Sequence, residues 1–108
     1  MDQIKIIIYT TSTGKSPFME WLESLDKTTR SIIRSRLERI TVGNLGDIKP
    51  IKGGQGLYEI RIFYGPGYRI YCGKKGQQII IVLAGGDKAT QARDITKAKH
   101  YLLECEDL

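Results

Sequence analysis

The segment from Leu57 to Gly73, LYEIRIFYGPGYRIYCG, constrains the fold more than any other part of the chain. Apolar and polar side chains alternate on both sides of Gly65-Pro66-Gly67, and successive side chains of a strand point to opposite faces of a sheet. The glycine-proline bend joins the two halves, so the segment predicts a β-hairpin with one apolar face. The chain is therefore expected to contain an antiparallel sheet that is buried on that face.

The hairpin is predicted to bring two arginines together. A register that pairs even-numbered with even-numbered positions buries the isoleucines of both strands, whereas a shift by one residue would expose half of the apolar set. In the favoured register Arg61 and Arg69 share the other, water-facing side, directly opposed or diagonal. Opposed like charges destabilise a sheet by up to about 1 kcal/mol, and either a bound anion or the nearby Glu59 would offset this repulsion.

The N-terminal half predicts one strand followed by an αα-hairpin. Residues 3–9 are β-branched and apolar, as expected of a strand. Ser16-Pro17 has the pattern of an N-cap followed by proline at the first helical position, and it begins a helix that ends at Leu25. Asp26 can cap a second helix that ends near Val42. The short connection makes these two helices antiparallel neighbours. A short edge strand is expected to follow around residues 47–51, with Pro50 keeping it off the sheet centre.

The C-terminal half predicts an interior strand and a last helix. Residues 77–84 are predicted to be a strand, and the continuous apolar run IIIVLA within it indicates burial on both faces of a sheet. Gly85-Gly86-Asp87 is expected to end this strand. The helix begins at Lys88 or Thr90, with the preceding aspartate as its N-cap, and ends at Glu104. Glycines before a helix N-terminus can offer backbone N–H groups to an anion. Lys88 is therefore expected either to contribute to an anion site there or to be an ordinary solvated side chain.

Composition and length are those of one globular domain. The chain has 108 residues, of which 41% are hydrophobic and 27% charged, and we expect a single domain over residues 1–108. Apolar runs fall short of the roughly 20 residues that span a bilayer, and the N-terminus lacks a signal-peptide pattern. Two cysteines without disulfide spacing fit a reducing compartment. We therefore expect a cytoplasmic protein with no membrane partner.

Positive charge is concentrated around the hairpin. The formal net charge is +5, and residues 49–75 hold six basic side chains against Glu59 alone. This local excess favours a polyanionic partner, with a soluble basic surface as the alternative. Four side chains are candidate nucleic-acid contacts: Lys52, Tyr71, Lys74 and Lys75. Tyr71 would stack on a base or serve as an ordinary cross-strand aromatic residue.

Other patterns carry less functional information. A second basic cluster lies on the second helix and is expected to be solvated, with an RNA or an acidic protein segment as the alternative ligand: Lys27, Arg30, Arg34, Arg36 and Arg39. The sequence lacks a His/Cys/carboxylate cluster of metal-site spacing, a P-loop and a GxGxxG motif. We expect neither a metal nor a cofactor.

Three sequence blocks are specific enough to compare with a known family: YEIRI (58–62), GPGYRIY (65–71) and LAGGDKATQARDITKAK (83–99). They resemble the phage-derived, HigB-like killer-protein branch of the RelE/ParE toxin superfamily, and the resemblance covers nearly the whole chain. It implies an α+β, RelE-like fold, with an N-terminal αα-hairpin and a C-terminal helix around a mostly antiparallel four-stranded sheet. It also implies the toxin of a type II toxin–antitoxin system, whose partner is a small helix-turn-helix antitoxin.

The resemblance further implies an activity and a set of site residues. RelE-like and HigB-like members cleave mRNA in the ribosomal A site, so a metal-independent mRNA endoribonuclease that arrests translation is expected. A ParE-like gyrase inhibitor and a non-catalytic degenerate toxin are the alternatives. Arg69 matches the arginine that contacts the scissile phosphate. Arg61 and Lys88 stand at or near other basic positions, whereas Glu59 replaces a strand lysine and Asp94 stands where a catalytic tyrosine is expected.

These residues suggest a division of roles in RNA cleavage. The 2′-hydroxyl attacks the adjacent phosphate, and the protein removes one proton, supplies another and stabilises the charge. Arg61 and Arg69 would clamp the phosphate, because a guanidinium binds two oxygens and stays protonated. Lys88 would add charge or donate a proton. Glu59 would be the general base or only a salt-bridge partner.

Overall fold

The computed structural model describes residues 3–105. The elements follow one another as β1 (Lys5–Ile8), α1 (Pro17–Glu23), α2 (Lys27–Thr41), β2 (Ile48–Pro50), β3 (Tyr58–Ile62), β4 (Tyr68–Lys75), β5 (Ile79–Asp87), a 3-10 turn (Lys88–Thr90) and α3 (Gln91–Glu104). The strands form one sheet in the order β1, β5, β4, β3, β2. β1 and β5 are parallel, and the other neighbouring pairs are antiparallel.

The α+β class is confirmed, but the strand count of four is wrong. β2 adds a fifth strand at the edge of the sheet, where it pairs with β3 over three positions. Pro50 ends this strand, in keeping with the confinement of proline to edges because it has no N–H to donate. No helix within residues 3–105 combines the length and the apolar composition that crossing a bilayer requires.

The helix starts follow the predicted capping signals. The Ser16 side chain accepts a hydrogen bond from the Met19 backbone N–H at 3.2 Å, and Pro17 is the first residue of α1. Asp26 accepts one from the Thr29 N–H, also at 3.2 Å, and α2 begins at the next residue. Only three residues separate the two helices, in keeping with the predicted short connection.

Apolar side chains form one core on each face of the sheet. The first lies under α1 and α2 and contains Phe18, Leu22, Ile33, Ile40, Ile60, Ile62, Ile70, Cys72, Ile80 and Val82. The second lies under α3 and contains Tyr9, Leu57, Tyr71, Ile81, Leu83, Ala84, Ala98 and Cys105. The face expected to be open to water is thus partly covered by α3, because that helix has an apolar stripe that needs burial.

The ladder between β4 and β5 contains a β-bulge. Tyr71 pairs with Ala84, whereas Cys72 pairs with Val82, so Leu83 has no partner across the ladder. Leu83 and Ala84 both belong to the α3 core, although neighbouring strand residues normally face opposite ways. Beyond the bulge the ladder continues, and Gly86 lies opposite Arg69.

The expectation that Gly85-Gly86-Asp87 ends the last strand is wrong. Gly85 and Gly86 continue the β5 ladder, opposite Ile70 and Arg69. A Cβ on Gly85 would collide with the Trp21 ring, and a Cβ on Gly86 would collide with the Asp94 carboxylate. These glycines therefore let α1 and α3 approach the sheet closely. They are not a flexible anion-binding loop.

Candidate functional site

Arg61 and Arg69 lie directly opposite each other on β3 and β4, as the even register predicts. Their side chains are 29% and 14% exposed, respectively. The backbones of two directly opposed residues on neighbouring strands are about 5 Å apart. The structure therefore brings this pair together at the β3–β4 end of the sheet.

The repulsion within this pair is offset by one carboxylate for each arginine. Arg61 donates from Nε to Asp47 Oδ2 at 3.1 Å, and its Nη2 lies 3.1 Å from the same oxygen. The Arg61 backbone N–H also donates to the Asp47 carbonyl at 3.0 Å. Asp47 is in the loop before β2, and sequence reasoning did not place it at this site.

Glu59 is the carboxylate that faces Arg69. Its Oε2 lies 3.6 Å from Arg69 Nε and accepts a hydrogen bond from Gln91 Nε2 at 3.1 Å. The residue is only 9% exposed, because α3 covers it. Arg69 Nε is buried and has no hydrogen-bond partner within residues 3–105. Glu59 therefore stands in the salt-bridge position that the sequence left open, and its part in proton transfer stays a prediction.

Tyr71 has the environment of an ordinary cross-strand aromatic residue, the second of its two predicted roles. Its side chain is 0% exposed, beneath α3, so it offers no ring face to a base. The hydroxyl has no hydrogen-bond partner among the described residues. Burial, reinforced by the negative charges of Glu59 and Asp94, raises the pKa of Tyr71 well above its ordinary value. The ring is therefore a core aromatic residue.

Phe63 is an exposed aromatic side chain next to the arginine pair. It is 79% exposed, and the Arg61 guanidinium lies 5.4 Å from its ring centroid. Phe63 comes directly after the last residue of β3, beyond the layer that α3 covers. The sequence carried a signal for it, since Phe63 shares the odd-numbered positions with both arginines.

The predicted lysines divide between two ends of the sheet. Lys88 is exposed, and it lies two residues after Gly86, which is the strand partner of Arg69. Lys74 and Lys75 are exposed at the far end of β4, and Lys74 lies five positions along the strand from Arg69, about 17 Å away. Lys74 Nζ lies 4.4 Å from the Tyr58 ring centroid.

Lys52 is exposed in the loop between β2 and β3. That loop ends next to Tyr58, which pairs with Cys72 and not with the arginine positions. The structure thus gathers Arg61, Arg69 and Glu59, with Lys88 at their edge. It does not bring Lys52, Lys74 and Lys75 into that group.

The N-terminus of the last helical segment already has an anionic group. Asp87 Oδ1 accepts a hydrogen bond from the Thr90 backbone N–H at 3.1 Å, which confirms the predicted N-cap. The Thr90 hydroxyl in turn donates to the buried Asp94 carboxylate. An external anion would have to displace the Asp87 carboxylate, so the backbone N–H groups here do not form an open anion site.

Arg36 is a further departure from the sequence-based expectation. It was expected on the solvated face of α2 but is 7% exposed. Its guanidinium packs against Gly46, and its Nη2 has no hydrogen-bond partner among the described residues. Burial lowers the pKa of Arg36, with a further contribution from Arg39, and Asp47 opposes this effect. Asp47 therefore acts electrostatically on Arg36 as well as Arg61.

Comparison with known proteins places these features in a family. The profile described as phage-derived protein Gp49-like matches residues 20–102 of the chain. An uncharacterized protein from Haemophilus influenzae is 41% identical over 83 residues, which cover 76% of this chain and 82% of that protein. The matched segment contains both arginines, both carboxylates that face them, and Lys88.

Proposed function

The chain belongs to the Gp49-like phage-derived protein family, and we propose that it is the toxin of a type II toxin–antitoxin system, a HigB-like mRNA interferase. In this proposal it cleaves mRNA on the ribosome without a metal, in the cytoplasm, and a small helix-turn-helix antitoxin holds it inactive. The observation that carries the proposal is the direct opposition of Arg61 and Arg69 on one sheet face. Two guanidinium groups so placed suit one phosphodiester.

RNA binding replaces the internal carboxylates with a phosphate. The Arg61–Asp47 pair is partly exposed, at 29% and 27% for its two side chains, and ion pairs open to solvent contribute only about 0–1 kcal/mol. The Arg69–Glu59 pair is long, at 3.6 Å. A phosphate that enters keeps both arginines partnered, while Gln91 continues to donate to Glu59.

The cleavage step assigns one task to each neighbouring side chain. Glu59 accepts the proton of the 2′-hydroxyl as that oxygen attacks the adjacent phosphorus, and the bond from phosphorus to the 5′-oxygen breaks. Arg61 and Arg69 stabilise the charge on the phosphate oxygens. Lys88 adds positive charge at the leaving 5′-oxygen or gives it a proton. Phe63 stacks on a base next to the cleaved bond.

The two ion pairs favour a second candidate, a non-catalytic toxin or binding module. Each arginine already has a carboxylate partner. The sheet face that carries Arg61 and Arg69 can therefore bind a target without cleaving it. Such a protein would still bind its target. It would leave mRNA intact in translating ribosomes at saturating protein concentration.

The decisive experiment combines in vitro translation with mapping of RNA 5′ ends. Arg69→Ala is expected to abolish cleavage and translation arrest, because it removes the phosphate contact nearest Glu59. Lys5→Ala is the control and should behave as wild type, because Lys5 is exposed on β1, at the opposite edge of the sheet and outside both basic clusters. Circular dichroism melting establishes that both variants are folded.

The possible results separate the candidates. Full translation arrest and cleavage by folded Arg69→Ala would overturn the proposed site. Arrest by the wild type with intact mRNA would support the non-catalytic candidate. Inhibition of gyrase supercoiling with unaffected translation would identify a ParE-like toxin and contradict the nuclease proposal.

A further inference from the structure

A cavity lies on the other side of β5 from the arginine pair. Its volume is about 440 Å³, within the range of roughly 300–1,000 Å³ found for small-molecule sites. Among its lining residues are Lys15, Trp21, Gly85, Arg93, Lys97 and Tyr101. It opens between α1 and α3, where β1 and β5 both end. Neither Arg61 nor Arg69 lines it.

The lining of this cleft has more basic than acidic side chains: Lys15, Arg93 and Lys97 against Glu20 and Asp94. Lys15 and Lys97 are exposed, and neither has an ion-pair partner within residues 3–105. The carboxylate of Asp94 is buried and already bound by the Thr90 hydroxyl, with Arg93 Nε at 3.6 Å. Glu20 is the remaining acidic side chain of the lining. The two lysines are therefore available to an anionic ligand.

Two aromatic rings form rigid walls of the same cleft. Trp21 packs directly on Gly85 and lies 5.8 Å from the Phe18 ring centroid and 6.1 Å from that of Tyr68. Tyr101 is stacked on Tyr9, with centroids 5.2 Å apart. Aromatic side chains held in place this way can contact a nucleobase, since every base has a π-face.

We propose that this cleft binds one nucleotide of single-stranded RNA, its phosphate near Lys15 and Lys97 and its base against Trp21 and Tyr101. The proposal rests on the proposed function, because it extends the RNA path beyond the arginine pair. Gly85 lines the cleft, and the next residue, Gly86, pairs with Arg69. The cleft and the arginine pair therefore adjoin neighbouring residues of β5.

Trp21 makes the proposal testable without any cleavage assay. It is the only tryptophan of the chain, so intrinsic fluorescence reports directly on the cleft. The probes are adenosine 5′-monophosphate, adenosine and inorganic phosphate, titrated into the intact protein. We expect saturable quenching by the monophosphate, weaker binding of adenosine, and no comparable effect of inorganic phosphate.

Two variants on one helix give a matched comparison. Lys97→Gln is expected to raise the apparent Kd for adenosine 5′-monophosphate by about fivefold, the upper range for one exposed ion pair. Lys99→Gln, two residues further along α3 and outside the lining, should leave that Kd unchanged. Unchanged melting curves for both variants establish that neither change acts through the fold.

Several results would overturn the proposal. These are the absence of saturable quenching, an equal loss of affinity in both variants, and quenching by inorganic phosphate as strong as by the nucleotide. Translation assays keep the two hypotheses separate. Arrest by a wild type that binds no nucleotide in the cleft would refute this inference alone. Nucleotide binding by a protein that neither cleaves mRNA nor arrests translation would support the cleft and contradict the proposed nuclease.

Discussion

The replacement Tyr71→Phe is expected to stabilise the protein, although most substitutions of buried residues destabilise. The Tyr71 ring is 0% exposed and belongs to the α3 core, and phenylalanine preserves its apolar contacts. The hydroxyl, however, has no hydrogen-bond partner among the described residues. Folding therefore removes a polar group from water without a replacement bond.

The magnitude follows from the cost of that unmade bond. A buried, unsatisfied polar group costs about 1–3 kcal/mol. Core atoms around such a group relax partially and reduce its cost, so we take the lower end of this range. We therefore expect Tyr71→Phe to raise the free energy of unfolding by about 1 kcal/mol. In a domain of this size that corresponds to a Tm increase of roughly 4 °C.

Urea unfolding and thermal melting at pH 7 measure the effect. Burial keeps the phenol protonated at this pH, since the pKa of Tyr71 is raised, so ionisation does not contribute. Tyr68→Phe is the control, because its half-buried side chain borders solvent and its hydroxyl can be hydrated. A loss of 1 kcal/mol or more in Tyr71→Phe would refute the reasoning, since it would mean that the hydroxyl is bonded, for example through a buried water to Glu59.

Three further outcomes follow from the packing and the pKa directions. Gly86→Ala should lower the free energy of unfolding by about 2–3 kcal/mol in urea titrations, as overpacking does. The reason is that the added Cβ would collide with the Asp94 carboxylate, and unchanged stability would contradict that packing. Burial raises the pKa of Cys72 to about 12, so native Cys105→Ser protein should react with a thiol reagent at pH 8 only as fast as it unfolds, and rapid labelling would disprove the burial. Hydrogen bonds from Thr29 lower the pKa of Asp26 below its ordinary value of 3.8. The stability that its charged form contributes is therefore present above that value and is lost as the pH falls below it. Asp26→Asn, which retains a capping side chain, should reduce this acid-induced loss of stability in melts between pH 6 and pH 2.

Features set by local patterns could be predicted from the sequence. The caps at Ser16 and Asp26 depend on residues within one helical turn. The opposition of Arg61 and Arg69 depends on alternation within one hairpin, where the wrong register would expose isoleucines. Both predictions needed no knowledge of the rest of the fold.

Features set by contacts between distant segments could not be predicted. Asp47 reaches Arg61 because β2 pairs with β3, and the sequence pattern of a short edge strand does not show which strand it joins. The burial of Tyr71 depends on where α3 crosses the sheet, since strand alternation identifies a face without showing what covers it. The extension of β5 through its glycines likewise depends on Trp21 and Asp94, which need those positions to lack a Cβ.

The β-bulge at Leu83 makes the two ends of β5 unequal in their tolerance of length changes. Deletion of Leu83 would regularise the ladder while Tyr71 still met Ala84 and Arg69 still met Gly86, so only one apolar side chain would leave the α3 core. One residue inserted after Ala84 would instead place a side chain against Trp21, where glycine now lies. Shortening of this strand can therefore be absorbed at the bulge, whereas lengthening beyond it would force α1 away from the sheet.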